Sequence, residues 1–337
     1  MVFFAPAARA EVVRDLYAAK VPVADQGAAA LSAGARDALA QVLVKASGTD
    51  EVLSNPTISS ALQEARSQVQ QYVYLRGGPE GETLEVRYEF APDYVTGLIK
   101  RAGAPLWTAN RPQVLVWMVM EQDGERYLVG GDSAPQEALQ VAGAFSARGV
   151  PLQLPLYDLA DRAALDTQSL WRLQGSAIQG ASLRYGLPHI VAARVAVLND
   201  GRYAGDWSYF SPQGRSDLSI TGDSFAAFLR DGVASVAADL AAQFAVAAAG
   251  DPQGAISIRV RGVRDYADYA QVVRWLRGLE LIDSANVDTI AGDVLSVSIQ
   301  AQADAAQLAP LIELNSGFVP QPALQPDAVL EYQWQRK

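Results

Sequence analysis

Three aspartates crowd the stretch Tyr157-Asp158-Leu159-Ala160-Asp161-Arg162-Ala163-Ala164-Leu165-Asp166, spaced three and five apart. Clustered carboxylates can move protons or hold a hard cation. This stretch lacks the alternating Asp/Asn and the glycine of a calcium loop. Helix capping and a solvated face are therefore the favoured reading. The chain has one histidine, His189, so a Ser–His–Asp arrangement would have to use it. His189 sits in Gly186-Leu187-Pro188-His189-Ile190, at the entry to an apolar strand. That place favours a structural imidazole at a sheet end over a base or pH sensor. The strand from Arg202 to Phe210 puts Tyr203, Gly205, Trp207 and Tyr209 on one face. Rings beside a glycine could stack on a sugar, but packing beneath a helix is favoured. Gly130-Gly131-Asp132 follows a strand without a subsequent Lys-Ser/Thr, which reads as a turn and not a phosphate loop. A Gly-x-Ser-x-Gly nucleophile elbow is absent from the sequence.

Composition narrows the classes further. The chain has 337 residues, of which 50% are hydrophobic and 19% charged, so it is not a disordered chain. Lys+Arg number 27 and Asp+Glu 37, giving a net charge of −10. An acidic chain with no basic block is a poor nucleic-acid binder. It contains no cysteine, which excludes disulfides, thiolate catalysis, Cys-based zinc sites and attachment as a lipoprotein. No metal, no cofactor and no catalytic residue is expected, and no stretch has the roughly 20 consecutive apolar residues of a membrane span. Residues 1–10, Met1-Val2-Phe3-Phe4-Ala5-Pro6-Ala7-Ala8-Arg9-Ala10, end in a small-x-small pattern. They read as the remnant of a secretory leader, with the mature chain starting at Glu11.

The candidate residues must be positioned by three small modules, residues 11–108, 109–249 and 255–337. The fold class expected is α/β and α+β. In the first module Val12–Tyr17 reads as a strand and Gly27–Lys45 as a helix ended by Gly48. The apolar stripe of that helix is Leu31, Ala35, Ala38, Leu39, Val42 and Ala46, with Ser32, Arg36, Gln41 and Lys45 off it. Asn55-Pro56 starts a second helix. Val69–Leu75 and Leu84–Phe90 read as an antiparallel pair joined through Gly77-Gly78-Pro79-Glu80-Gly81, and Pro92–Arg101 as a third helix. The middle module is expected to hold a mixed α/β sheet. It has a doubly buried strand at Val114–Met120, a short strand at Val150–Tyr157, and strands at His189–Leu198, Arg202–Phe210 and Arg215–Thr221. Its helices read as Pro135–Ala147, Thr167–Arg184 and a long one from Phe225, capped by Asp223 or Ser224. Gly250-Asp251-Pro252-Gln253-Gly254 is the linker candidate. The last module reads strand–helix–strand–strand–helix–strand, a ferredoxin-like βαββαβ, which carries no function by itself.

Between the first two modules lies Pro105-Leu106-Trp107-Thr108-Ala109-Asn110-Arg111-Pro112. Trp and Arg favour interfaces, so Trp107, Asn110 and Arg111 are expected to clamp modules together. The binding candidates are these three with Tyr157, His189, Tyr203 and Trp207. Val42-Leu43-Val44-Lys45-Ala46-Ser47-Gly48, Asn55-Pro56, Val69-Gln70-Gln71-Tyr72, the Trp107–Pro112 stretch, Leu187-Pro188-His189 and Tyr203-x-Gly205-x-Trp207 together give a resemblance. On them the chain resembles the proteobacterial exported proteins of domain of unknown function 2066 (DUF2066). That resemblance implies an envelope protein and supplies no reaction or catalytic residues. At the level of architecture alone, the succession of modules is similar to periplasmic multi-domain assembly proteins.

The expectation is a non-enzymatic binding or scaffold protein of the bacterial periplasm, with an envelope protein or a glycan as partner. The alternative is an envelope hydrolase or glycan-processing enzyme using the carboxylates of the middle module.

Overall fold

The computed structural model describes residues 10–77, 82–130, 134–247, 255–322 and 330–336. The proposed leader (all but Ala10), most of the turn after Gly77, Gly131-Asp132 and the candidate linker fall outside them. The described chain is mixed α/β and α+β. It divides into two compact units, one built mainly of Arg111–Ala237, the other of Val12–Asn110, Ala238–Glu313 and the segment from Gly317.

The first unit is organised by strand Val114–Gln122, whose first seven residues are all buried. Valine, leucine, methionine and tryptophan in unbroken succession suit a strand covered on both faces. Strand His189–Val197 runs parallel to it, with His189 opposite Val114. Strands Tyr203–Ser211 and Gly214–Gly222 follow as antiparallel neighbours. Glu125–Leu128 pairs antiparallel on the other side, and Leu152–Gln153 adds a short parallel bridge. Leu115, Trp117, Val119, Ile190 and Phe210 face a core completed by Leu165, Leu170 and Ile178. On the opposite face Trp207 lies against Phe145 of helix Pro135–Ala147 and Phe228 of helix Phe225–Phe244, with ring centroids 6.4 and 5.8 Å away. Gly232 on the latter helix has no room for a methyl group, because a Cβ there would fall 2.1 Å from the Trp207 ring.

Two expected elements of this unit differ. The single helix Thr167–Arg184 is three pieces, Thr167–Trp171, Gly175–Ser182 and a 3-10 turn at Leu183–Tyr185. The break falls where Leu173 adopts a positive φ of 50° and Gly175 follows, a conformation no helix accommodates. Val150–Tyr157 contributes only Leu152–Gln153 as strand, since its prolines remove ladder donors.

In the second unit, strands Ala18–Pro22, Thr83–Phe90 and Val69–Gly77 form an antiparallel sheet with Thr83–Phe90 central. Helices Ala28–Ser47, Pro56–Gln63 and Pro92–Arg101 pack on it, and Leu39, Val42, Leu43, Ile58, Val86, Tyr88, Val95 and Ile99 share one core. The Asn55 side chain accepts the Thr57 N–H, and Gly48 ends the first helix with φ 85°. Two local readings are corrected. The segment Arg14–Tyr17 is a turn between strands Ala10–Val12 and Ala18–Pro22, because Arg14-Asp15 interrupts the apolar run. Lys45, expected off the apolar stripe, is buried. Its ammonium donates to the carbonyls of Asp15 and Ala18, which lets the aliphatic stem pack while the charge keeps polar company.

The C-terminal sheet has the order Ile282–Ala291, Val294–Ala301, Ile256–Arg261, Leu330–Trp334, Phe318–Gln321. Helices Tyr266–Arg277 and Ala305–Glu313 connect its strands. The expected strand and helix succession is present with one strand more, Phe318–Gln321. That extra strand takes the edge, so Leu330–Trp334 enters between it and Ile256–Arg261 and runs parallel to the latter.

Candidate binding site

The acidic trio is built into helix starts. Asp158 caps helix Leu159–Ala164 by accepting the Asp161 N–H at 2.9 Å. Asp161, fully buried, reaches back to the Tyr157 N–H at 2.8 Å, accepts the Tyr185 hydroxyl at 2.6 Å and receives Arg184 at 2.8 Å. Arg184 also grips Asp158, which holds that carboxyl down at about 2. Burial and the Asp161 carboxylate push the Tyr185 phenol up to about 12. Asp166 caps the next helix through the Ser169 N–H at 2.7 Å. These oxygens are committed to backbone donors, the Tyr185 and Ser169 hydroxyls and one guanidinium, so the trio closes a structural corner. Among the described residues no group of His, Asp or Glu could hold a metal ion.

Tyr157 belongs to the same corner. It is buried, its φ is 52°, and its ring stands edge-on to Trp117 at 5.6 Å. Its ring also fills the space a side chain at Gly130 would take, 2.6 Å from a Cβ there. His189 is buried with Nδ1 2.7 Å from the Tyr209 hydroxyl, the two rings stacked at 6.0 Å. Burial alone drives the imidazole down to about 4, so it is neutral at pH 7. Of the aromatic strand face, Trp207 and Tyr209 are buried and Tyr203 is half-buried against Phe225 at 5.7 Å. Packing beneath helices, not a sugar platform, is what this face does.

The junction residues are also inside. The Trp107 N–H donates to the Ala46 carbonyl at 2.7 Å, and Asn110 donates to the Gly278 carbonyl at 3.3 Å. Arg111, with no exposed surface, donates to the carbonyls of Arg148 and Gly149 at the end of helix Pro135–Ala147. There it meets the negative end of the helix dipole. Six of the seven sequence candidates are therefore buried; they are not gathered round one opening.

An opening does exist elsewhere, on residues the sequence did not single out. In the second unit a cleft of about 280 Å³ is lined by Asp93, Thr96, Gly97, Ile99, Lys100, Ala104, Leu106, Val246, Leu281 and Gln302. One wall is the helix Pro92–Arg101, whose residues 93, 96, 97 and 100 fall on one face at i, i+3, i+4 and i+7. Val95 and Leu98 point the other way, into the core. The opposite wall comes from the short strand pair Pro105–Leu106 and Val246–Ala247, and from Leu281 and Gln302. Gly97 costs the helix roughly 1 kcal/mol relative to alanine. A Cβ there would meet only the Arg101 guanidinium at 3.4 Å. Packing does not demand the glycine; its effect is to keep the cleft wide. The polar wall was readable from the helix periodicity. Its partner wall, more than a hundred residues on, carries no local signal.

The family comparison bears on one part of the chain. Residues 10–108 match the model of a domain of unknown function, DUF8605. No curated protein matches the chain. The match replaces the resemblance to DUF2066, which is thereby corrected. The residues that carried that resemblance are fold-forming. Val42–Gly48 is the end of a helix and Asn55-Pro56 the start of one, while Asn110–Pro112 lies beyond the matched span. Such features recur wherever a helix must be capped or stopped. The DUF8605 segment supplies the helical wall of the cleft and Leu106.

Proposed function

We propose that the protein is a non-enzymatic binding protein of the bacterial envelope, exported to the periplasm, and that it holds a small ligand in the cleft of the second unit. The observation that carries this reading is the cleft itself. It is lined by the apolar side chains of Ile99, Leu106, Val246 and Leu281 and by the polar ones of Asp93, Thr96, Lys100 and Gln302. Ligand sites combine those two ingredients, apolar contact for affinity and a few polar groups for orientation. Among the described residues lining the cleft none pairs a nucleophile with a base: Thr96 spends its hydroxyl proton on the Pro92 carbonyl of its own helix. Export draws on the small-x-small pattern ending at Ala10.

Two measurements test the reading together. A tagged copy of the native gene is expected in the periplasmic fraction with its leader removed. The small-molecule fraction of an envelope extract is expected to raise the thermal midpoint of the wild type and of Gly97→Ala, but not of Gly97→Leu, whose side chain fills the cleft. Recovery in the cytosol with the leader intact, or a midpoint shift indifferent to Gly97→Leu, would end it.

A further inference from the structure

We infer that the cleft takes a short free peptide, about three residues long, held by its two charged ends; this rests on the cleft being a binding site. Asp93 and Lys100 stand seven residues apart on the lining face of helix Pro92–Arg101. Seven residues are two turns, a rise of about 10 Å. Among the described residues neither the Asp93 carboxylate nor the Lys100 ammonium has a hydrogen-bonding or ion-pair partner. An extended tripeptide spans about the same 10 Å between its ammonium and its carboxylate. Its amino end then meets Asp93 and its carboxylate meets Lys100. Its backbone runs past Gly97, which has no side chain of its own and stands beside the Arg101 guanidinium, and its side chains reach Leu106, Val246 and Leu281.

A further polar group matches the same occupant. The Gln302 amide nitrogen donates to Asp283 at 2.8 Å, which fixes the side chain and leaves its Oε1 to accept a peptide N–H. The size agrees as well. A cleft of about 280 Å³ is at the small end for ligand sites, too small for a folded partner. A fatty acid would satisfy Lys100 and leave Asp93 unanswered; a polyamine would do the reverse. Only a ligand with opposite charges at its two ends and an apolar middle uses both walls.

The experiment is calorimetric titration of the full chain with Ala-Val-Ala in four forms: free, N-acetylated, C-amidated and capped at both ends. The free peptide is expected to bind, and each single cap to weaken it about fivefold, the scale of one partly exposed charge pair. Lys100→Gln should weaken the free peptide by a similar factor and leave the C-amide unchanged. Asp93→Asn should do the same for the free and N-acetylated pair. Gly97→Leu should abolish all binding, with Gly97→Ala as the folded control. Equal affinity of free and doubly capped peptide, or no binding at millimolar concentration, overturns the inference. If decanoate binds instead, and Gly97→Leu prevents it, the peptide proposal falls while the cleft remains a binding site. If no ligand and no envelope extract gives a Gly97-dependent effect, both fall.

Discussion

At the scale of single residues, burial decides what the conspicuous side chains do. His189 is the clearest case. Its folded pKa of about 4 lies below the ordinary 6.5, so between those values the unfolded chain binds a proton that the folded chain refuses. Its contribution is complete above pH 6.5 and is lost as the pH falls towards 4, up to about 3 kcal/mol in all. Denaturant midpoints at pH 7 and pH 4.5 should differ by that contribution in the wild type, and by clearly less in His189→Gln. Glycines give a second contrast. Gly97→Ala is expected to raise stability by up to about 1 kcal/mol. Gly232→Ala should lower it by about 2 kcal/mol, because the Trp207 ring has nowhere to move. Urea midpoints of the two variants test the pair. Among the described residues the buried Trp207 indole N–H has no acceptor. The ring fills its site by volume, and Trp207→Phe, which removes an unsatisfied donor, should cost less than a buried Trp-to-Ala change by at least half.

At the scale of elements, one device appears twice. Asp158-Leu159-Ala160-Asp161 and Asp265-Tyr266-Ala267-Asp268 each open a helix with a capping aspartate. In each, the second aspartate is buried and reaches back to the backbone N–H before the cap. An arginine then bridges the two, Arg184 in one unit and Arg336 in the other. The second carboxylate of the latter pair, bonded also by the Trp334 indole, is held at about 2 by Arg336. A carboxyl depressed in the fold stabilises it above the unfolded value near 4, and that stability drains away as the pH falls from about 4 to 2. Asp161→Ala should cost about 3 kcal/mol by stripping Arg184 and Tyr185 of a buried partner, clearly more than the half-exposed cap Asp158→Ala. Thermal unfolding of the two variants at neutral pH would rank them. This device also shows what the sequence could disclose. Local pattern, which left the Asp265 cap unread, revealed the cap at Asn55, capping within the Asp158–Asp166 stretch, the Gly48 stop and the doubly buried strand Val114–Met120, since neighbours in the chain determine them. It could not reveal that Arg184 and Arg336 complete the corners, that Lys45 turns inward, or that Leu330–Trp334 enters beside Ile256–Arg261. Those depend on residues tens to hundreds of positions away. The cleft escaped notice for the same reason: Asp93, Thr96 and Lys100 look like any solvated helix face until Val246 and Leu281 stand opposite.

At the scale of the molecule, each unit buries its own core, one around Leu115, Trp117 and Phe210, the other around Leu39, Val42 and Tyr88. Separate cores predict separate transitions, so the calorimetric enthalpy of unfolding should exceed the van't Hoff enthalpy. The second unit is also discontinuous in the chain. Leu106 pairs with Val246, about 140 residues further along, and the whole of Arg111–Ala237 lies between. The second unit is thus a host and Arg111–Ala237 a guest spliced into it. A host interrupted in this way can close its Leu106–Val246 seam cheaply only once the guest has condensed and shortened the tether. Refolding of the host should therefore lag behind the guest, and excising the guest, with a short glycine–serine bridge from Asn110 to Ala238, should make host refolding faster.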